Sequence, residues 1–241
     1  MVGVNIAVII AGGVGSRVGA SIPKQFIEIY GKPILAYTLE NFNAHPMIDK
    51  IELVCISSWI EEVETYKEKY SLDKLEWIVP GGDFVQKSIY NGVENLKDKI
   101  SDDDLVIIHD GVRPLVDDEV LTDVINVAAR MGNGVTSLPY NEQIFLIDDE
   151  YSTTRYIPRE TLRRVSTPQA YRYADLLDAY DTAFEKEVGI YGSSYTNTMF
   201  CDLGKKLYFA KGSDKNIKLT TPDDIEIFKG YLRAQNEDLK K

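Results

Sequence analysis

The sequence predicts an α/β fold with a mostly parallel, twisted sheet and helices on both of its faces. Three observations predict it. Short apolar, β-branched runs alternate with runs of helical periodicity. The first apolar run, residues 4–10, empties into a glycine-rich loop. Polar clusters then recur just after predicted strands, where ligands bind in such sheets.

The elements follow in order. Residues 4–10 form the first strand, an apolar run without polar alternation, as expected of a strand buried on both faces. Residues 33–45 read as a helix with Ile34, Tyr37, Thr38 and Phe42 along one side. Residues 50–57 are the second strand. Ser58-Trp59-Ile60-Glu61 has the spacing of a capping box and predicts a helix carrying Val63, Tyr66 and Tyr70. Residues 75–79 are the third strand, followed by Gly81-Gly82-Asp83 and a helix over 85–96. Residues 105–109 are the fourth strand. Asp117 is placed to cap a helix with Val120, Val124, Val127 and Ala128 on its apolar stripe. Residues 134–138 are the fifth strand.

From 139 to 169 the periodicity fails for about 30 residues, which is long for an unstructured loop in a compact domain and marks it as a projecting arm or hairpin or else a mobile surface loop. An arm of this kind suits dimer contacts. A helix resumes over 173–185, late strands are expected at 206–210 and 216–219, and Thr221-Pro222-Asp223-Asp224 opens a last helix with an N-cap, a proline and an acidic first turn. The tail 235–241 is polar. No repeat or linker divides the chain, so 1–241 reads as one domain.

The 241 residues are 44% hydrophobic and carry a net charge of −11. Nucleic acid and anionic membranes need a basic face, so neither is expected as a partner. Residues 1–10 lack the length and basic start of a signal peptide, and no apolar run approaches the ~20 residues of a membrane span. The expectation is a cytoplasmic protein. Cys55 and Cys201 lack metal-ligand spacing and are expected to be buried thiols.

Against this acidic background, Ala11-Gly12-Gly13-Val14-Gly15-Ser16-Arg17 with Pro23-Lys24-Gln25 stands out. Three glycines in four positions let backbone N–H groups converge on a ligand, and Arg17 and Lys24 add two cations. The loop reads as a phosphate cradle; its bland alternative is a Gly-rich turn with incidental charges. It is neither a dinucleotide fingerprint, because Val18 occupies the third glycine position, nor a P-loop, because no Gly-Lys-Ser/Thr occurs.

Asp110 ends the fourth strand and is either an oxygen ligand for Mg²⁺ beside phosphates or a turn-former before Gly111. Arg113 clamps the same anions or orients Asp110. His109 precedes Asp110 on the strand, faces the opposite way, and reads as a core histidine rather than a base; His45 ends a helix and reads as structural. No nucleophile–base pair is apparent. The set is cationic and phosphate-directed, which points to phosphoryl or nucleotidyl transfer by positioning and charge neutralisation.

Six motifs in order then resemble the CTP-dependent cytidylyltransferases that act on 2-C-methyl-D-erythritol 4-phosphate and on ribitol 5-phosphate. They are Ala11-Gly12-Gly13-x-Gly15-x-Arg17, Pro23-Lys24-Gln25, Gly81-Gly82-Asp83 with Ser88, His109-Asp110-Gly111-Val112-Arg113-Pro114, Thr167-Pro168-Gln169 and Asn216-Ile217-Lys218. The likeness runs from about Asn5 to Leu232. It implies a Rossmann-like α/β fold, and a homodimer whose arm reaches the partner's site. It also implies Mg²⁺ and CTP, with release of pyrophosphate and a CDP-alcohol. Carried over by position, Arg17 and Lys24 would neutralise the triphosphate and the transition state, while Gly82, Asp83 and Ser88 would read cytosine and ribose. Asp110 would hold Mg²⁺ with Asp214 as a helper, and Arg159 and Lys218 would bind the phosphate of the alcohol.

The chain departs from the methylerythritol pattern at four places. The loop begins Ala11-Gly12-Gly13 rather than Ala-Ala-Gly, as in the ribitol branch. Val85 stands where a basic residue is common. Glu142-Gln143 replaces an Asp-Thr pair, making Gln143 a polyol-facing candidate, and Ser194-Tyr195-Thr196 carries no acid where one is usual. These changes leave the CTP half mostly intact, short of one triphosphate or base contact at Val85, and alter the alcohol half. They place ribitol 5-phosphate first and methylerythritol 4-phosphate second. Use of UTP or GTP, and a non-catalytic nucleotide-binding homologue, are the other readings.

Overall fold

A computed structural model describes residues 3–13, 22–192 and 194–238. In chain order its elements are β1 (Asn5–Ala11), β2 (Glu28–Ile29), β3 (Lys32–Pro33), α1 (Ile34–Ala44), β4 (Lys50–Cys55), α2 (Ile60–Lys69), β5 (Leu75–Pro80), α3 (Val85–Asn95) and β6 (Leu105–Asp110). They continue with α4 (Asp118–Met131), β7 (Asn133–Pro139), β8 (Ile144–Leu146), β9 (Arg155–Ile157), β10 (Arg163–Arg172), α5 (Tyr173–Lys186), α6 (Thr196–Asp202), β11 (Phe209–Lys211) and α7 (Pro222–Asp238).

Seven strands form one sheet in the order β11-β7-β10-β6-β1-β4-β5. β1 pairs in parallel with β4 and β6, β4 with β5, and β11 with β7. Only β10 runs antiparallel, between β6 and β7. Side chains of β1 alternate between two cores. Ala7 and Ile9 face α1, α2 and α4 through Leu35, Phe42, Val63 and Val124. Ile6 and Val8 face α3, α5 and α6 through Ile89, Leu176 and Phe200. Helices therefore cover both faces, as the apolar run Ile6–Ile10 implies.

Local chemistry sets the ends of these elements. α4 starts at Asp117, but through its carbonyl, which accepts from Val120 and Leu121 at 3.0 and 3.2 Å; its side chain makes no cap bond. α4 stops at Gly132, whose φ of +88° lets its N–H reach the Ala128 carbonyl. At α7, Thr221 Oγ1 accepts from the Asp224 N–H at 3.3 Å, the N-cap that the sequence predicts, and Asp224 Oδ2 accepts in return from the Thr221 N–H at 2.7 Å.

Four expectations are corrected. The box at Ser58–Glu61 does not form: a 3-10 turn, Ser57–Trp59, precedes α2, and Trp59 is held by stacking on Phe26 with centroids 4.0 Å apart. Residues 216–219 are not a strand, because the Asn216 carbonyl accepts from Arg113 and the Leu219 N–H donates to Val112, leaving no sheet ladder. Residues 206–208 are held by the Asn133 side chain, so β11 shifts to Phe209–Lys211. Cys201 is exposed rather than buried, while Cys55 is buried; both are free. The sequence also gave no hint of α6.

The arm is a β8–β9 hairpin with Phe145 opposite Tyr156, and its return leg becomes β10, the longest strand described. Within β10 the register shifts between Val165 and Gln169. That irregularity frees Thr167 from the ladder and turns it toward the end of β6.

One buried charge lies outside this logic. Glu52 on β4 is 0% exposed and points at α3, where Asn95 Nδ2 donates to Oε2 at 2.6 Å. A Cβ on Gly92 would lie 2.9 Å from Oε1, which has no hydrogen-bond partner among the described residues. Burial pushes the carboxyl up from 4.5 to about 7, against the pull of Asn95 and Lys99. The folded state thus holds this proton more tightly than the unfolded chain. The contribution is full below about pH 4.5 and is lost as pH rises through 7. Glu52→Gln should therefore flatten the pH dependence of stability across that window and stabilise the protein at pH 8 by on the order of 2 kcal/mol. Denaturant unfolding from pH 4.5 to 8 reads this directly.

Candidate active site

The C-terminal ends of β1, β4, β5 and β6 lie side by side. Gly81 N–H donates to the Cys55 carbonyl at 2.7 Å and Gly111 N–H to the Ile10 carbonyl at 2.9 Å, so each loop is tied to a neighbouring strand as it leaves the sheet. Between them opens a cavity of about 490 Å³ lined by Ile10, Gly12, Gly13, Ile56, Ser57, Gly81, Gly82, Asp83, Phe84, Val85 and Ser88. Its size suits a nucleoside or small ligand.

Two chain segments cross here at the limit of contact. A Cβ on Gly81 would lie 3.2 Å from the Gly12 Cα, and a Cβ on either glycine would lie 3.1 Å from Ser88 Oγ. Glycine at both positions keeps the crossing open. Ser88 Oγ accepts from the Gly82 N–H at 3.0 Å, which fixes the Gly81-Gly82 turn over the first turns of α3. Five of the residues assigned to nucleotide binding, Gly12, Gly13, Gly82, Asp83 and Ser88, therefore share one cavity wall.

Ala11 is buried, and its carbonyl accepts from Gln25 Nε2 at 2.7 Å; the same amide bonds the Gly13 carbonyl at 2.9 Å. Gln25 is the clasp that the Pro23-Lys24-Gln25 motif supplies, a role that sequence reading left unassigned. It brings the 3-10 turn Lys24–Phe26, and Lys24 with it, against the glycine loop. Gly15 and Arg17, with Val14 and Ser16, lie outside the described residues.

Asp110 is the centre of the second half. Arg113 Nε lies 2.8 Å from Oδ2 and Lys218 Nζ lies 2.9 Å from Oδ1. Thr167 Oγ1 accepts from the Asp110 N–H at 3.1 Å and lies 3.3 Å from Oδ2. Burial opposes the charge on Asp110, but Lys218 and Arg113 outweigh it and hold the carboxyl well below the ordinary range. Arg113 is fixed in turn by the Asn216 carbonyl at 2.8 Å, and Asn216 Nδ2 donates to the Thr167 carbonyl at 2.7 Å. One web thus joins the Asp110 loop, the β10 irregularity and the 216–218 segment. Arg113 orients Asp110, the second of its two expected roles.

His109 is fully buried against Phe42 and its Nε2 lies 3.1 Å from the Arg113 carbonyl, which can only accept. Burial lowers its pKa to about 4, so the ring is neutral and braces the loop instead of acting as a base. His45 Nε2 bonds Asp118 and Thr122, a structural role.

The structure does not bring every assigned residue here. Asp214 is exposed and bonds Arg164, so the carboxylate expected beside Asp110 is committed elsewhere. Gln143 is exposed on the arm. Arg159 starts a 3-10 turn on the arm, half-exposed, 3.5 Å from Glu160.

A glycine cavity at the strand ends, flanked by a carboxylate clamped between two cations, defines a nucleotide-handling transferase of the α/β class. The family model described as IspD, 2-C-methyl-D-erythritol 4-phosphate cytidylyltransferase, matches residues 5–234. The chain belongs to this cytidylyltransferase family. It is 56% identical over 229 residues to the ribitol-5-phosphate cytidylyltransferase of Lacticaseibacillus paracasei, covering 95% of this chain and 98% of that one. It is 38% identical to the 2-C-methyl-D-erythritol 4-phosphate cytidylyltransferase of Clostridium acetobutylicum, covering 96% and 99%. The crystal structure of 4-diphosphocytidyl-2C-methyl-D-erythritol synthase from Anaerococcus prevotii superposes with a TM-score of 0.82 at 25% identity over 96% of each chain.

Removing one of the two cations should release the carboxyl. In Lys218→Met, Asp110 should titrate at a higher pH than in the parent protein, read by carboxyl-carbon NMR; an unmoved titration would show that Lys218 does not set its charge.

Proposed function

We propose that this protein transfers CMP from CTP to D-ribitol 5-phosphate, giving CDP-ribitol and pyrophosphate. One observation carries the reading. Ile10 lines the glycine cavity and is also the register partner of Asp110, so nucleotide cavity and cation-clamped carboxylate share one boundary. A CTP seated with its base at Gly82, Asp83 and Ser88 has its phosphates at the glycine loop, facing Asp110 and Lys218. The 56% identity to a protein named for ribitol 5-phosphate supports that alcohol. The family description and the Clostridium acetobutylicum relative support methylerythritol 4-phosphate as the second reading.

The chemistry needs little from the protein. A phosphate oxygen of the alcohol attacks the α-phosphorus of CTP; the new O–P bond forms as the bond to the bridging oxygen breaks, and pyrophosphate leaves. The attacking oxygen is already ionised at neutral pH, so no base is needed, consistent with a neutral, buried His109. The barrier is anion meeting anion. Arg17 and Lys24 neutralise the triphosphate and the charge that develops in transit, and each such contact is worth a few kcal/mol. Lys218, drawn forward by Asp110, and Arg159 from the partner's arm hold the alcohol's phosphate.

Mg²⁺ fits the donor set in one way. Among the described residues no three His, Cys, Asp or Glu side chains cluster, so a dedicated protein cage is absent there. Mg²⁺ commonly rests on one carboxylate, waters and substrate phosphates. Asp110 would hold it, its oxygens retaining lone pairs beyond those facing Arg113 and Lys218, and the ion would supply further neutralisation of the triphosphate. Asp214, expected as a helper, is paired with Arg164 in this structure.

The arm supports a homodimer. Ile147 and Tyr151 are 77% and 88% exposed on it, with Phe145 and Tyr156 also exposed. An apolar surface of this kind is covered in an assembly. Among the described residues no helix is long and apolar enough to cross a membrane. The proposed role is cytoplasmic, in supply of an activated alcohol for teichoic acid or capsule, or for isoprenoid precursors on the second reading.

Pyrophosphate release with ribitol 5-phosphate and methylerythritol 4-phosphate in parallel, across CTP, UTP and GTP, tests the assignment. Preference for CTP and ribitol 5-phosphate is expected; equal use of UTP would overturn the base assignment. Lys24→Ala should lower kcat by about a hundredfold or more while CTP still binds. Arg159→Ala should raise the KM of the alcohol phosphate far more than that of CTP. Mixed Lys24→Ala and Arg159→Ala subunits should recover part of the activity, and no recovery would place the arm contact within one subunit.

A further inference from the structure

Tyr195 sits on the alcohol side of the site with no role assigned by the resemblance. Its N–H donates to Thr198 Oγ1 at 2.8 Å and its carbonyl accepts from the Met199 N–H at 2.9 Å, so its backbone is fixed as the start of α6. α6 is anchored beneath it. Met199 and Phe200 are buried in the core, and Thr196 Oγ1 lies 2.7 Å from the buried Tyr180 hydroxyl. That hydroxyl donates to Gln86 Oε1 at 3.1 Å, on the same helix as Ser88. The ring is therefore mounted on a rigid base tied to the wall of the nucleotide cavity.

Above that base, Lys218 Nζ lies 5.9 Å from the Tyr195 ring centroid while it bonds Asp110 Oδ1 at 2.9 Å. The ammonium thus has a carboxylate on one side and an aromatic ring at the outer range of cation–π contact on the other. The Tyr195 side of the site is nevertheless open: the residue is 47% exposed. An apolar ring with a polar tip suits a ligand that alternates C–H and O–H groups, as a polyol does. A phosphate held by Lys218 brings the carbon chain attached to it within reach of the Tyr195 ring.

We propose that Tyr195 is a specificity-determining residue, its ring packing on the carbon chain of the polyol phosphate whose phosphate Lys218 binds. The proposal rests on the reading of Lys218 given above. The chemistry selects an extended polyol phosphate, because a ring face packs best on an unbranched C–H edge and the phenol can bond a hydroxyl further along.

Steady-state kinetics of Tyr195→Ala, Tyr195→Leu and Tyr195→Phe test it. Tyr195→Ala and Tyr195→Leu should raise the KM of ribitol 5-phosphate by about tenfold or more, with the KM of CTP within about twofold. Tyr195→Phe, which keeps the ring, should recover most of the loss. An unchanged alcohol KM, or equal rises in both KM values, would overturn the proposal, the second by showing a purely structural effect. Tyr195→Leu keeps the side chain's bulk and so serves if the alanine variant does not fold. If the parent enzyme uses only methylerythritol 4-phosphate, the ribitol reading falls on its own, and the same KM pattern measured with that substrate decides the role of Tyr195.

Discussion

The carboxylate of Asp110 holds the alcohol half of the site together. Without it, Arg113 and Lys218 would be two like charges in a partly buried corner, with only the Asn216 carbonyl left to hold Arg113. With it, both ammonium and guanidinium are fixed within 2.9 Å of its oxygens. The neighbouring structure serves this arrangement. Thr167 bonds the Asp110 backbone, Asn216 ties Thr167 to Arg113, and neutral His109 braces the Arg113 carbonyl. An acidic protein can then present cations to phosphate at one place, because a buried acid holds them there.

The nucleotide half rests on a different constraint, the absence of side chains. Gly12 and Gly81 cross so closely that a Cβ on Gly81 would press on the Gly12 Cα. Gln25 then uses one amide to hold two loop carbonyls, those of Ala11 and Gly13. The two halves meet along β1 and β6, where Ile10 and Asp110 are paired. Parallel pairing matters here, since it delivers successive strand ends, and the loops that leave them, to one edge of the sheet.

Much of this was legible in the sequence, for physical reasons that differ from place to place. The apolar run at 4–10 reads as a buried strand, and the alternation of strand-like and helix-like runs after it points to a mostly parallel α/β sheet. Glycine and charge spacing revealed the cavity residues, because a close backbone approach leaves few alternatives to glycine. What escaped were features set by tertiary pairing. β10 reads as irregular because its first half leaves the body of the protein and its ladder shifts at Thr167. Residues 216–219 have strand propensity, yet their backbone bonds go to the Arg113 loop. α6 is short and has too few turns to show a period. Asp214 is expected as a helper to Asp110 on the resemblance alone, and in the fold its side chain bonds Arg164. The roles of Gln25 and Tyr195 depend on what their side chains meet across the fold, which no local pattern encodes.

Whether Asp110 and Lys218 act as one unit in catalysis is read by a double-mutant cycle on kcat/KM. The parent enzyme, Asp110→Asn, Lys218→Met and the double variant are compared with CTP and the alcohol phosphate. If the pair is one unit, the double variant falls no further than the worse single variant, within about threefold. Losses that multiply would contradict the account, because they would mean that each residue meets its own part of the reaction without depending on the other.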